Sequence, residues 1–321
     1  MNAKEIRKIA VIGLGTMGPG LAEIFAQAGC RVTGYDANPE AAAKCGKVIE
    51  AILEILGEFN LVSPAEAKAA IANIDYAGSL EEAVGGAQIV VEAVSENRKV
   101  KKDIFERIDR TAPAGCLIWS NTSSLNIFEL TPPGRAGDTL IAHWVAPPHI
   151  IPLVEVVKGP QTSPATLQTT LAILKQLKKK PIVLEKYVPG FIINRIQRII
   201  GREVLFLLGG GYISQEDLDL AVKASLAPRM MVLGLVQRYD FTGLDLSARN
   251  LLDENFFDPP LDNRPTALYS KIERGDLGVK TGKGFYDYSG RETTEVLKAR
   301  DRNLLKVMEG IQFCLGNERL V

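Results

Sequence analysis

The chain has 321 residues, with 38 Lys plus Arg against 38 Asp plus Glu, so its formal net charge is zero. That length suits two domains, and 46% apolar with 24% charged residues is the balance of an ordinary globular protein. The absence of a basic excess argues against a nucleic-acid partner, and four cysteines without CxxC spacing, beside only two histidines, form no zinc pattern.

The N-terminus runs from a short polar lead straight into KIAVI at residues 8–12, a short apolar run that reads as a buried parallel strand. It has no secretory h-region, and no stretch reaches the roughly 18 uninterrupted apolar residues of a membrane helix. A soluble, cytoplasmic protein with no membrane partner and reduced thiols is therefore expected. A helix is predicted over 18–28 and a strand over 31–35. Asn38-Pro39, a cap followed by proline at the first helical position, starts a helix to about residue 58. A short helix is expected over 64–72.

Strands and helices then alternate: strands at 88–93, 116–120, 139–143, 153–157 and 181–184, helices at 98–109 and 164–178. This order predicts a Rossmann-type, doubly wound α/β domain with a mainly parallel sheet covered on both faces. KYVPG at 186–190 marks a boundary. Beyond it, helical periodicity over 191–208, 214–224 and 229–238 predicts a smaller all-helical C-terminal domain. The expected domains are 1–186 and 187–321. The tail from Arg291 is charged and helix-permissive.

Three glycines, Gly13-x-Gly15-x-x-Gly18, lie between the first strand and the first helix. The first permits the tight turn, the second lets a pyrophosphate approach the backbone, and the third lets strand and helix pack closely. Gly13, Leu14, Gly15, Thr16, Met17 and Gly18 thus form a dinucleotide-binding turn at a helix N-terminus. Asp36, ending the second strand, is placed to accept hydrogen bonds from the adenosine ribose and to repel a 2′-phosphate. No arginine follows it, which favours NAD over NADP.

His143 ends the apolar strand TLIAH, at the sheet end where ligands collect in open α/β folds. Glu155 lies inside LVEVV, where a carboxylate requires a partner. A His–Glu pair of this kind fixes the imidazole tautomer and stabilises an imidazolium. A lone histidine at a strand end is otherwise often structural, and His149, in the proline-rich APPHIIP loop, is the weaker candidate.

Seven segments in order, VIGLGTMGPG (11–20), VEAVSENRKVKK (91–102), SNTSSLNI (120–127), HWVAPPHIIPLVEVV (143–157), VPGFIINR (188–195), FTGLD (241–245) and KTGKGFYDY (280–288), resemble the 3-hydroxyacyl-CoA dehydrogenase family. The resemblance implies an NAD-binding domain followed by a helical domain that carries a homodimer contact. It further implies that His143 is the catalytic base and Glu155 the carboxylate that orients it. Ser123 would hydrogen-bond the reacting oxygen, Asn194 would hold the substrate carbonyl, and Glu96 and Lys101 would lie near the cofactor.

Two departures stand out. The family motif H-x-x-N-P carries Ala146 in place of its asparagine. The HWxxPPHIIPLVEVV form also resembles a branch acting on free hydroxy acids, with gulonate, carnitine and pyridine-carboxylate dehydrogenases. That branch implies a basic residue five positions before a glycine. Arg229 stands there, before Gly234, although Leu235 replaces the proline that follows this glycine in the branch, and a guanidinium suits a free carboxylate. Thioester binding would instead use Lys44 and Lys47.

The expected function is hydride transfer between the C3 hydroxyl of a 3-hydroxy acid or 3-hydroxyacyl-CoA and NAD, with a lean towards free acids. A β-hydroxyacid dehydrogenase is disfavoured because no lysine follows Gly209-Gly210-Gly211 at the needed place. The alternative from another class is a crystallin-like protein that binds NAD with little or no turnover.

Overall fold

The computed structural model describes residues 5–255 and 257–315. The chain divides into two compact units, Met1–Arg195 and Ile196–Val321.

The first unit is built on an eight-stranded sheet. Its strands are β1 (Lys8–Ile12), β2 (Arg31–Tyr35), β3 (Ile74–Tyr76), β4 (Ile89–Glu92), β5 (Leu117–Ser120), β6 (Thr139–Trp144), β7 (Leu153–Lys158) and β8 (Lys180–Leu184). The order across the sheet is β3-β2-β1-β4-β5-β6-β7-β8. All neighbours pair in parallel except β6 and β7, which are antiparallel. The connecting segment 145–152 is too short for the dozen or more residues of a crossover, so β7 must reverse. β8 then follows the direction of β7.

Helices α1 (Gly18–Gln27), α2 (Pro39–Glu58), α3 (Pro64–Ala72), α4 (Leu80–Val84), α5 (Arg98–Thr111) and α6 (Pro164–Gln176) connect the strands. Their starts are specified locally. Asn38 accepts from the amide of Glu40, and Ser63 and Glu66 form a reciprocal capping box. The Asn97 side chain accepts from the amides of Lys99 and Val100. β3 and α4, absent from the sequence-based element list, are three and five residues long. One core joins Ile12, Val90, Ile118 and Ile141 of the sheet to Leu80, Phe105 and Ile108 of the helices and to Phe191.

The second unit is helical. It holds most of α7 (Ile193–Gly209), then α8 (Gln215–Ala221), a π-helical turn (Val222–Leu226), α9 (Ala227–Leu233), α10 (Gln237–Thr242), α11 (Leu244–Leu251), α12 (Thr266–Glu273) and α13 (Thr293–Gly310). The sequence expectation of helix over 229–238 is met by two short helices, because Gly234 takes a positive φ of 66° and closes α9. No residue of α7 to α12 is buried. Among the described residues, no helix is long and apolar enough to cross a membrane.

Candidate active site

The turn between β1 and α1 has the shape a dinucleotide requires. Gly13 adopts φ +97°, and a Cβ there would stand 2.6 Å from the carbonyl carbon of Ala93. A Cβ on Gly18 would stand 2.2 Å from the Gly13 oxygen. Gly15 differs, since nothing lies within 4 Å of where its Cβ would be. That open space borders the N-terminus of α1, which has no side-chain cap and no acidic residue in its first turn. Its free amides and partial positive charge remain available to a phosphate. Leu14 is buried while Gly15 and Thr16 are exposed and Met17 is partly so.

Asp36 braces the turn from the end of β2. Its Oδ2 accepts from the Leu14 amide at 2.8 Å and its Oδ1 from the Asn38 amide at 2.8 Å. Each oxygen keeps a lone pair, so the carboxylate is held in place yet able to accept ribose hydroxyls. These residues fit NAD.

His143 and Glu155 are directly paired across the antiparallel ladder of β6 and β7. His143 Nδ1 lies 2.7 Å from Glu155 Oε2, and the glutamate is fully buried. A carboxylate only accepts, so the proton of a neutral His143 sits on Nδ1 and the Nε2 lone pair is left for other work. Glu155 Oε1 accepts from the amides of Ile192 (2.8 Å) and Ile193 (3.2 Å). Burial alone would raise the Glu155 carboxyl, but the His143 hydrogen bond and the two amides outweigh it and hold it below its ordinary value. Phe191, fully buried at φ +50°, sets its ring 5.3 Å from the His143 ring.

Those same residues lead to the other predicted positions. Asn194 follows Ile193 and donates from Nδ2 to the Ser123 carbonyl at 3.2 Å. Ser123 lies in the loop after β5. The side chain of Asn121, at the start of that loop, accepts from the Trp144 amide at 2.9 Å, tying it to the end of β6. His143, Glu155, Asn194 and Ser123 are thus one connected group. Ala146 is exposed in the loop after β6, and its methyl offers no hydrogen bond.

Lys101 is 1% exposed. Its ammonium lies 2.6 Å from Glu92 Oε1 and 3.6 Å from Glu96 Oε2. Glu92, which the sequence reading did not single out, also accepts from Ser120 Oγ at 2.6 Å and from the Val94 amide at 2.9 Å. Its signal was available, because Glu92 ends the apolar run IVVE much as Glu155 interrupts LVEVV. In the second unit, Arg229 is exposed on α9 and donates to the Ser225 carbonyl and hydroxyl. It forms no ion pair among the described residues.

Comparison with known proteins bears on the whole chain. Residues 8–187 match the NAD-binding domain of 3-hydroxyacyl-CoA dehydrogenase, and residues 190–288 match its C-terminal domain. The chain belongs to the 3-hydroxyacyl-CoA dehydrogenase family. It is an NAD-dependent dehydrogenase acting on CH–OH groups. It is similar to 5-formyl-3-hydroxy-2-methylpyridine 4-carboxylate 5-dehydrogenase of Mesorhizobium japonicum, 31% identical over 95% of this chain and 99% of the relative. L-carnitine dehydrogenase of Streptomyces griseus is 30% identical over 95% and 90%. A probable 3-hydroxybutyryl-CoA dehydrogenase of Bacillus subtilis is 35% identical over 88% and 98%. A crystal structure of the pyridine-carboxylate enzyme, described as an NAD+-dependent dismutase, superposes with a TM-score of 0.83, covering 98% of this chain and 100% of that one.

Proposed function

We propose that the protein interconverts the C3 hydroxyl and ketone of a small 3-hydroxy acid, with a free carboxylate preferred to a CoA thioester. The observation that carries the chemistry is the buried His143–Glu155 pair. His143 Nε2 takes the hydroxyl proton, and Glu155 stabilises the imidazolium that results. Held at the Gly13–Gly18 turn and Asp36, NAD would supply the acceptor for the hydride that leaves C3. In the reverse direction the imidazolium returns the proton to the carbonyl oxygen. Ser123 and Asn194 orient the reacting oxygen and the substrate carbonyl, supported by the hydrogen bond that joins them. No metal is required, since the hydroxyl proton and the hydride both have acceptors.

The preference for a free acid rests on Arg229. It is an exposed guanidinium without a carboxylate partner among the described residues, at the position where the resemblance to the free-acid branch implies a basic group. Two relatives act on free acids by name, the pyridine-carboxylate and carnitine enzymes.

We also propose a homodimer in a reducing compartment. Helices α7 to α12 bury no residue in the single chain, and Ile199, Val236, Leu251 and Leu252 stay largely exposed. A helical unit with that much uncovered apolar surface fits a second copy. Cys30, Cys45, Cys116 and Cys314 are all free thiols.

The test is NADH absorbance on the purified protein with 3-hydroxybutyrate, L-carnitine and 3-hydroxybutyryl-CoA as probes. Turnover is expected with free acids. Activity with the thioester alone would sink the free-acid reading. Tight NAD binding with no turnover of any hydroxy acid would favour the crystallin-like alternative, for which Ala146 is the supporting feature. Sedimentation should give twice the mass of one chain.

A further inference from the structure

The loop 145–152 joins the strand of His143 to the strand of Glu155. It turns on Pro147, whose carbonyl accepts from the amides of Ile150 (3.1 Å) and Ile151 (3.0 Å). Two further loop carbonyls, those of Pro148 and Ile151, accept from the Lys179 ammonium at 2.6 Å and 3.3 Å. Lys179 is 8% exposed and stands just before β8, whose Lys180 amide donates to the Pro152 carbonyl at 2.8 Å. Its ammonium also lies 5.6 Å from the ring centroid of Trp144, the chain neighbour of His143. The helix that opens at the glycine turn presses on the same loop, since a Cβ on Gly20 of α1 would stand 2.7 Å from Pro148 Cγ. One turn further along α1, Glu23 is fully buried and neither of its oxygens has a hydrogen-bond partner among the described residues. Its charge acts on Lys179 through space.

We propose that Lys179 is a positioning residue for the His143–Glu155 hairpin, acting by clamping the 145–152 loop, with Glu23 of α1 as its countercharge. Three observations carry this. Pro147, Pro148 and Pro152 contribute no N–H, so the loop has fewer donors than carbonyls. Pro147, Pro148 and Ile150 are buried, so water is a poor substitute for the missing donors, and Lys179 makes up the deficit at two carbonyls. A lysine with no such task extends its ammonium to solvent, because burying an unpaired charge is costly. Lys179 instead keeps its ammonium inside, beside the loop and the Trp144 ring. The clamped segment begins two residues after His143 and ends three before Glu155. A misplacement of about 1 Å at a catalytic group costs on the order of a hundredfold in rate, so a loop free to shift would be felt at His143.

This inference rests on His143 as the base, and the experiment separates the two. Lys179→Met keeps the apolar stem but donates nothing. It is compared at neutral pH with Glu23→Gln and the double variant for Tm, for NAD Kd by calorimetry and for kcat at saturating NAD and substrate. The substrate is whichever of 3-hydroxybutyrate, L-carnitine and 3-hydroxybutyryl-CoA the wild type oxidises fastest. Lys179→Met should lower kcat by about tenfold or more while the NAD Kd stays within about threefold. Its Tm should also fall, because two carbonyls lose their donor and Glu23 loses its countercharge. Adding Glu23→Gln should raise that Tm by a few degrees, since no buried carboxyl then lacks a countercharge. It should leave kcat within about twofold of Lys179→Met, because the loop is still unclamped. Lys179→Arg, which still donates, should recover part of kcat and covers the case in which the methionine variant does not fold. Recovery of kcat in step with Tm would give Lys179 a purely stabilising role and overturn the inference. A rise of about tenfold in NAD Kd with kcat preserved would overturn it too. Full turnover by Lys179→Met beside an inactive His143→Asn would overturn it and leave the base standing. Full turnover by His143→Asn would remove both.

Discussion

His143 and Glu155 face each other as a register pair of β6 and β7, with 2.7 Å between Nδ1 and Oε2. The antiparallel turn-back after β6 is what creates this pair, because a parallel β7 would need a crossover longer than 145–152 allows. Glu155→Gln keeps the shape but loses the charge that stabilises an imidazolium. It is expected to lower kcat by about 10²-fold or more while NAD affinity changes by less than about threefold. His143→Asn should fall at least as far. Full turnover in the His143 variant, measured by NADH absorbance, would remove the proposed base.

Gly13 and Gly15 make opposite predictions although they are two residues apart. Alanine at Gly13 would meet backbone at 2.6 Å in a left-handed conformation, which costs about 1–2 kcal/mol from the conformation alone. Its Tm should drop. A Cβ at Gly15 has no protein atom within 4 Å, so Gly15→Val should shift Tm by no more than about 2 °C. The same substitution fills the space a pyrophosphate needs and should raise the NAD Kd by about tenfold or more. Melting curves and NAD titrations on the two variants check the pair. An unchanged NAD Kd in Gly15→Val would mean the cofactor phosphates lie elsewhere.

Much of this site is legible in the sequence because its signals are local. The glycine turn, Asp36 just after β2 and the capped start of α2 lie within one short stretch of chain, residues 13–40. Glu155 announces itself by sitting in an apolar run. The rest depends on packing that spacing does not show. Lys101 stands among Arg98, Lys99 and Lys102, so it reads as a solvated helix face. In the fold it heads the buried stripe of Lys101, Ile104, Phe105 and Ile108, spaced as one face of α5. β3 is three half-exposed or exposed residues at the sheet edge, too short for an alternation to register. Phe191 gives no sign in the sequence of its positive φ of 50°. In the second unit the apolar periodicity is plain, but what it packs against is not encoded in the spacing of a single chain.

Arg229 supplies a prediction that splits the two substrate classes. The residue is exposed and, among the described residues, donates only to Ser225, so Arg229→Leu should leave Tm nearly unchanged. A lost charge-assisted hydrogen bond is worth about 1.5–3 kcal/mol, which corresponds to a rise in KM of about tenfold or more for a free hydroxy acid. The thioester, with no free carboxylate, should be affected far less. Equal losses for both substrates would detach Arg229 from carboxylate recognition.

Glu23 and Lys179 make stability depend on pH and take no part in the proposed chemistry. Glu23 on α1 is fully buried and neither of its oxygens has a hydrogen-bond partner among the described residues. Burial pushes its carboxyl up to about 7, against a smaller opposing pull from Lys179. Burial pushes the Lys179 ammonium down to about 8, against the pull of Glu23. Lys179 donates to the Pro148 and Ile151 carbonyls, so it holds the loop between β6 and β7. A carboxyl whose folded value is raised binds its proton more tightly when folded than when unfolded. Its contribution to stability is therefore complete below about 4.5 and is lost as pH rises to about 7. The lysine acts at the other end, where folding is penalised below about 8 and recovers as pH rises towards 10.5. Together they place the least favourable contribution between about 7 and 8. Glu23→Gln removes the larger carboxyl cost and gives up the weaker attraction to Lys179. Its Tm should exceed that of the wild type by a few degrees at pH 7.5, with the gap closing as pH falls towards 4.5. A Tm difference that does not vary with pH across that window would show that Glu23 does not change its protonation there.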